Sequence, residues 1–286
     1  MKNGLILKSI ALIGHGDWSS KLYNSLYSDY VVKIYSSREF LSAAQNRVFE
    51  EDLVWLTSKN SQQFQILEKI LQLNNDARII LEKPYFIKNE QYRKLNDILQ
   101  CQRDKIFLSQ IWRFSPVWKA FLREFLREEN FFEIRILRVG SKRRVDVPPP
   151  LDWGPHDLYL LFDLAYHTNQ EITFDGSDIF SAGRVLKTNL RLGQENRVSM
   201  VSGYSQKHDC NWEVNFNSGK KILLDFGNNA LFVESKLVLK VDALSDLYLE
   251  PARKMVEWAL ESSEEDSIGS MLQLNYEVFQ KLQYWS

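Results

Sequence analysis

Over its first third the chain alternates short apolar runs with stretches whose apolar residues recur every three or four positions. The runs SIALIG (9–14), YVVKIYS (30–36), EDLVWLTS (51–58), ARIILEK (77–83) and KIFLSQIW (105–112) read as strands. The segments DWSSKLYNSLY (17–27), SQQFQILEKILQL (61–73) and NEQYRKLNDILQCQ (89–102) read as helices. Strand–helix alternation of this kind builds βαβ units, so the region is expected to form a parallel sheet with helices on both faces.

The pattern changes near residue 112. A helix over PVWKAFLREFLREE (116–129) leads into the alternating FFEIRILRVGSKRRV (131–145), and a second helix covers GPHDLYLLFDLAYH (154–167). Strand-like runs follow at 178–187, 196–205, 211–227 and 230–241, with NSGK (217–220) as a hairpin turn. Helices over 249–263 and 270–285 close the chain. The expected fold is α/β: a Rossmann-type, doubly wound parallel sheet over residues 1–112, then an α+β domain over 113–286 with a mostly antiparallel open sheet.

Composition narrows the functional classes. A chain of 286 residues suffices for two modest domains with real cores. Its 36 Lys+Arg against 37 Asp+Glu leave no positive excess for a broad grip on nucleic acid. No uncharged apolar stretch approaches the ~20 residues of a membrane span. The opening MKNGLILKSIALIGHGDW is split by Lys8 and followed by no small-residue cleavage site, so it reads as the first strand rather than a leader. Cys101 and Cys210 show no metal spacing and suggest no disulfide framework, which fits a cytoplasmic protein. His15, His167 and His208 have no partners at metal-ligand spacing, and no metal is expected.

Candidate chemistry begins at IALIGHGDWS. Gly14 and Gly16 stand directly after the first strand and before a helix, where a dinucleotide pyrophosphate would sit. Gly14 permits the tight turn, Gly16 admits the phosphates, and the helix start offers free N–H groups. Ser19 replaces the usual third glycine, whose task is close helix–strand packing, and Asp17 adds a negative charge that does not suit a phosphate. A plain strand–turn–helix also favours glycine; the position after the first strand of a βαβ series favours the nucleotide. The second strand ends in YSSRE (35–39), where Ser37 and Arg38 could hold a 2′-phosphate. NADP(H) is therefore favoured over NAD(H), with Glu39 open as a ribose partner for the latter. His15, Asp17, Trp18, Thr57, Asn60 and Glu82 complete the expected cofactor surroundings.

IILEKPY (79–85) ends a strand with Glu82, Lys83 and Pro84, and strand carboxyl ends are where open parallel sheets bind ligands. A lysine there can donate to a substrate oxygen and to the cofactor. The order of GHG (14–16), EKP (82–84), WRFSP (112–116) and DWGPHD (152–157) resembles the Gfo/Idh/MocA oxidoreductases, the glucose–fructose oxidoreductase and inositol dehydrogenase group, over nearly the whole chain. The resemblance implies an NAD(P)-dependent oxidoreductase acting on a CH–OH group of a sugar or nucleotide sugar. It also implies a cis Lys83–Pro84 bond, a place for Arg113 near cofactor and domain junction, and pairing of subunits into a dimer or tetramer through the second sheet.

Asp152 and His156 lie four apart, a spacing that shares one helix face, and Pro155 is tolerated in a first turn. Gly154 between them leaves room for a ligand or a close backbone. The resemblance implies that Lys83, Asp152 and His156 surround the substrate. His156 would be the general acid/base, Asp152 would hold a neighbouring hydroxyl or the imidazole, and Lys83 would polarise the reacting oxygen. Alone, Asp152 reads equally as a helix cap and His156 as a satisfied core histidine. A further family Asp is Tyr159 here, which can still bind a hydroxyl. Trp153 could stack on a sugar or simply pack. Arg138, Lys142, Arg143 and Arg144 read as a solvated strand edge, or as a basic entrance for a phosphorylated substrate, stiffened by Pro148, Pro149 and Pro150. A non-catalytic sensor and an imine or tetrapyrrole reductase are the rival readings.

Overall fold

The computed structural model describes residues 7–42, 50–73, 76–128, 130–141, 147–241, 244–261 and 266–285. The first sheet holds β1 (Ser9–Ile13), β2 (Val31–Tyr35), β3 (Leu53–Leu56), β4 (Arg78–Leu81) and β5 (Ile106–Leu108), all parallel, in the order β2-β1-β3-β4-β5. Between them run α1 (Asp17–Leu26), α2 (Ser37–Ser42), α3 (Asn60–Leu73) and α4 (Asn89–Gln102). All four residues of β3 are buried, as the unbroken apolar runs of a sheet covered on both faces require. The strand order reverses between β1 and β3, and the crevice beyond their carboxyl ends is where such sheets take ligands.

The second sheet is larger. α5 (Pro116–Phe125) precedes β6 (Phe131–Gly140), and α6 (Pro149–Trp153) and α7 (Pro155–Thr168) precede the run β7 (Ile172–Phe180), β8 (Val185–Leu192), β9 (Asn196–Tyr204), β10 (Asp209–Phe216), β11 (Lys221–Asp225), β12 (Ala230–Val233) and β13 (Lys236–Lys240). The order is β13-β12-β11-β10-β6-β9-β8-β7, antiparallel except for β6 against β9. In β8 the inward Leu186, Thr188, Leu190 and Leu192 alternate with the exposed Lys187, Asn189 and Arg191. That is the mark of a sheet with one buried face. The buried face packs on an aromatic core that includes Trp118, Phe121, Phe125, Trp212 and Phe216. The hairpin at 217–220 forms as its Ser-Gly turn demands, with Gly219 at φ 87.

The last two helices return to the first sheet. α8 (Leu244–Glu261) buries Ala252, Met255, Val256 and Ala259 against Ile10, Leu12, Trp55 and Phe107. α9 (Asp266–Phe279) places Ile268, Met271 and Leu272 in the core of the opposite face, with Ile13, Val54 and Ile79. Farther along α9, Leu274, Val278 and Phe279 join the core of the second sheet. Two helices from beyond residue 112 thus complete the cores on both faces of the first sheet. α8 also starts earlier than 249 and holds Pro251 inside it.

The prolines differ from expectation too. Pro149 and Pro150 do not stiffen an extended approach; they occupy the first turn of α6, where their fixed φ and missing N–H are tolerated. Gly154, with φ −67 and ψ −34, closes α6 and opens α7, so 149–168 is a nearly continuous helical run.

Candidate active site

The glycine turn follows β1. Gly14 has φ 146, and a Cβ there would lie 2.6 Å from the backbone and the hydroxyl of Thr57. No other residue fits without displacing the end of β3. Ser19, at the place of a third glycine, is 1% exposed, and its Oγ lies 2.7 Å from Thr57 Oγ1. The hydroxyl thus ties α1 to β3 where glycine would only permit close approach. Gly16 is different: a Cβ on it would meet nothing within 4 Å. It is the N-cap of α1 with no side-chain cap, so the amides of the first turn keep their donors for an anion. His15, Gly16 and Asp17 are exposed. Open approach and uncapped amides fit a dinucleotide phosphate; the Asp17 carboxylate does not contribute to that fit.

At the end of β2, Ser36 N–H donates to Glu39 Oε2 (3.2 Å) and Glu39 N–H donates to Ser36 Oγ (3.1 Å). This reciprocal capping box starts α2. The bonding with Ser36, with His15 nearby, holds the Glu39 carboxyl below its ordinary range. Glu39 is thereby engaged, while Ser37 is half-buried and Arg38 is exposed in the same first turn.

β4 delivers Glu82 and Lys83. Glu82 Oε1 accepts from three donors: Trp18 Nε1 (2.8 Å), Trp55 Nε1 (2.9 Å) and Ser109 Oγ (2.8 Å). Its carbonyl accepts from Gln63 Nε2 (2.9 Å), and Asn60 Nδ2 donates to Pro84 O (2.6 Å). The Lys83–Pro84 bond is cis. Thr57, Asn60, Glu82 and Trp18 therefore spend polar groups on building the crevice floor. Lys83 Nζ reaches α6 and donates both to Asp152 Oδ1 (2.7 Å) and to Asp152 O (2.6 Å). Both side chains are largely buried, at 14% and 11% exposure.

His156 lies one residue inside α7, half-buried, its ring edge-on to Trp112 at 6.5 Å between centroids. Asp157, next in the chain, is fully buried. Arg138 of β6 donates to it twice, from Nε to Oδ2 (2.5 Å) and from Nη2 to Oδ1 (2.9 Å), and Trp212 Nε1 donates to Oδ1 (2.7 Å). The Asp157 charge raises the Arg138 pKa in spite of the burial that opposes it.

No family model matches the chain, and no curated protein matches it in sequence. Solved structures do. A 3-ketoreductase from Actinomadura kijaniata, in complex with TDP-benzene and NADP, superposes with TM-score 0.71 at 11% identity, covering 96% of each chain. UDP-N-acetylglucosamine 3-dehydrogenase from Acidithiobacillus ferrooxidans gives 0.61 at 15%, covering 93% of this chain and 99% of the other. Biliverdin reductase from Synechocystis, with biliverdin and NADP+, gives 0.61 at 13%, covering 96% and 98%. The chain has the Gfo/Idh/MocA fold. At such identities the likeness establishes the fold alone, and that fold hosts more than one chemistry.

Within the Gfo/Idh/MocA fold, other sequence candidates take definite places. Arg113, in the 3₁₀ turn Ile111–Phe114, pairs with Asp163 of α7 (2.6 Å) and lies 5.8 Å from the Trp258 ring, so the domain junction holds it. Tyr159 is 6% exposed and belongs to the core of the first sheet's α3–α4 face, with Tyr85 and Met271. Trp153 packs over Gly140, where a Cβ would lie 2.4 Å from its ring, and against His208 at 5.3 Å. Gly154 leaves no room for a ligand, because Phe279 fills the space 2.7 Å from where its Cβ would be. Arg143, Lys142 and Arg144 lie outside the described residues. Arg138 is not part of a solvated edge; it is 3% exposed and committed to Asp157.

Asp157, Trp212 and Asp163 escaped sequence reasoning. For Arg138 a signal existed: with Ile134 and Ile136 it keeps the period of two that marks the inward face of β6. Nothing in the sequence names its partner. Among the described residues, no helix is long and apolar enough to cross a membrane, and no group of three or more His, Cys, Asp or Glu is placed to hold a metal.

Proposed function

We propose that the protein is an NAD(P)-dependent oxidoreductase that interconverts a hydroxyl and a ketone on a sugar or nucleotide sugar, with NADP(H) the favoured cofactor. The observation that carries this reading is the Lys83–Asp152 contact. An amine from the carboxyl end of β4 meets a carboxylate four residues before His156, and the preceding Glu82 accepts from Trp18 in the first turn of the uncapped α1. Gly16 and the first-turn amides of α1 would hold the pyrophosphate, and Ser37 with Arg38 the 2′-phosphate. The capping box on Glu39 supports this preference, since it takes up one oxygen of the carboxylate that ribose hydroxyls would otherwise use.

When bound, the nicotinamide accepts or supplies a hydride. In the oxidative direction His156 takes the hydroxyl proton; in reduction it returns one to the alkoxide oxygen. Lys83, held by Asp152 through both a side-chain and a main-chain oxygen, donates to the reacting oxygen and stabilises its negative charge.

The test is fluorescence titration with NADPH and NADH, followed by turnover over a panel of nucleotide sugars and free polyols. NADPH is expected to bind more tightly. Arg38→Ala should weaken NADPH on the order of tenfold or more, in line with ~1.5–3 kcal/mol for a charged hydrogen bond, and leave NADH nearly unchanged. Equal losses for both cofactors would overturn the 2′-phosphate assignment. Binding of neither reduced cofactor would overturn the oxidoreductase.

A further inference from the structure

We propose that Arg138, Asp157 and Trp112 form a positioning device for His156. This inference rests on the oxidoreductase reading, in which His156 moves the proton. Asp157 follows His156 directly in the first turn of α7, and the two N–H groups of Arg138 grip both of its carboxylate oxygens. A bidentate pair fixes rotation as well as distance. Arg138 sits on β6, an interior strand hydrogen-bonded to β10 on one side and β9 on the other, which makes it an immobile anchor. The same guanidinium lies 6.0 Å from the ring of Trp112 and 4.9 Å from that of Phe226. Trp112 stands edge-on to Phe226 (5.4 Å) and to His156 (6.5 Å). Arg138 therefore constrains His156 by two routes: along the backbone through Asp157, and through space by way of the Trp112 ring.

An apolar pair of similar volume commonly gives equal or greater stability than a buried ion pair. Stability alone accounts poorly for a guanidinium and a carboxylate this deep, whereas directional fixation of the α7 start next to an acid/base residue accounts for both. Arg138, Asp157 and Trp112 are positioning residues; in this proposal none touches the substrate.

The decisive variant is the double substitution Arg138→Met with Asp157→Leu, compared with Trp112→Leu and with wild type. Circular dichroism and thermal melting check that each is folded. Two readouts follow. The first is kinetic: kcat is expected to fall on the order of 100-fold, the scale of a misplacement near 1 Å, with the KM for cofactor and substrate within about twofold. The second needs no turnover: the imidazole C2–H resonance of His156, one of four histidines, assigned by its loss in His156→Ala. It is expected to shift and broaden in both variants. A folded double variant with wild-type kcat and an unchanged His156 resonance overturns the proposal. Absence of turnover in the wild-type protein would instead sink the oxidoreductase reading, and the resonance alone would then decide the positioning.

Discussion

Two candidate site residues, Lys83 and His156, each have a chain neighbour whose carboxylate is taken up by the protein's own donors. Glu82 precedes Lys83 at the end of β4; Asp157 follows His156 at the start of α7. Both are acceptor hubs, but of opposite kinds. Glu82 gathers neutral donors, two indoles and a hydroxyl, on one oxygen and remains partly exposed. Asp157 is sealed from solvent and neutralises a guanidinium. The first is a set of bonds that tolerates loss of charge; the second is a charge balance that does not. One anchors a turn of the first sheet, the other pins a helix to the second, so the same device is built at two very different costs of removal.

Swapping each carboxylate for its amide isostere breaks the comparison open. Asp157→Asn strands the buried Arg138 charge and should cost about 3–5 kcal/mol, the scale of a broken buried pair; urea unfolding measures it. Glu82→Gln keeps a carbonyl oxygen for the same neutral donors and should cost only about 1 kcal/mol. Similar losses at both sites would erase the distinction drawn here. The smallest effect sharpens it. Cys210 lies beside Arg138, and burial pushes its thiol up to about 11. At pH 8 the raised pKa leaves it in the unreactive S–H form. A thiol reagent should therefore modify only the exposed Cys101 in the folded wild-type chain. In Asp157→Asn a second, slower modification should appear as the region around Arg138 opens, and Glu82→Gln should leave the count at one.

The sequence made the first sheet readable because parallel strands buried on both faces are unbroken apolar words, and the glycine turn and Lys83 sit where those words end. α7 was readable as a helix from its apolar residues; of Leu158, Leu161, Phe162 and Ala165 on one stripe, all but the half-buried Phe162 are buried. The pairing of Arg138 with Asp157 was not, because they lie nineteen positions apart in the chain and the basic residues that follow in sequence make Arg138 read as part of a solvated run. The three-donor cluster on Glu82 was hidden for a similar reason: Trp18 and Trp55 each offer a single N–H, which leaves no mark on periodicity. Ser19 shows how a departure from a motif can carry its own chemistry, replacing permissive closeness by a hydroxyl contact with Thr57. The homes of α8 and α9 were illegible too, since an amphipathic helix records that it has a partner without saying which sheet supplies it.

The path of those last helices has a consequence for how the protein is made. As the chain leaves the ribosome, the strands of the first sheet emerge early and Leu22 and Leu26 of α1 join their core, but the rest of the cover over Ile10, Leu12, Trp55 and Phe107 waits for Ala252, Met255 and Val256. Until then part of one face of the first sheet stays uncovered, so the amino-terminal unit completes its core only after the closing helices are made, and exposed apolar surface of that kind favours aggregation. A premature stop before residue 244 should yield an aggregating fragment rather than a small working half.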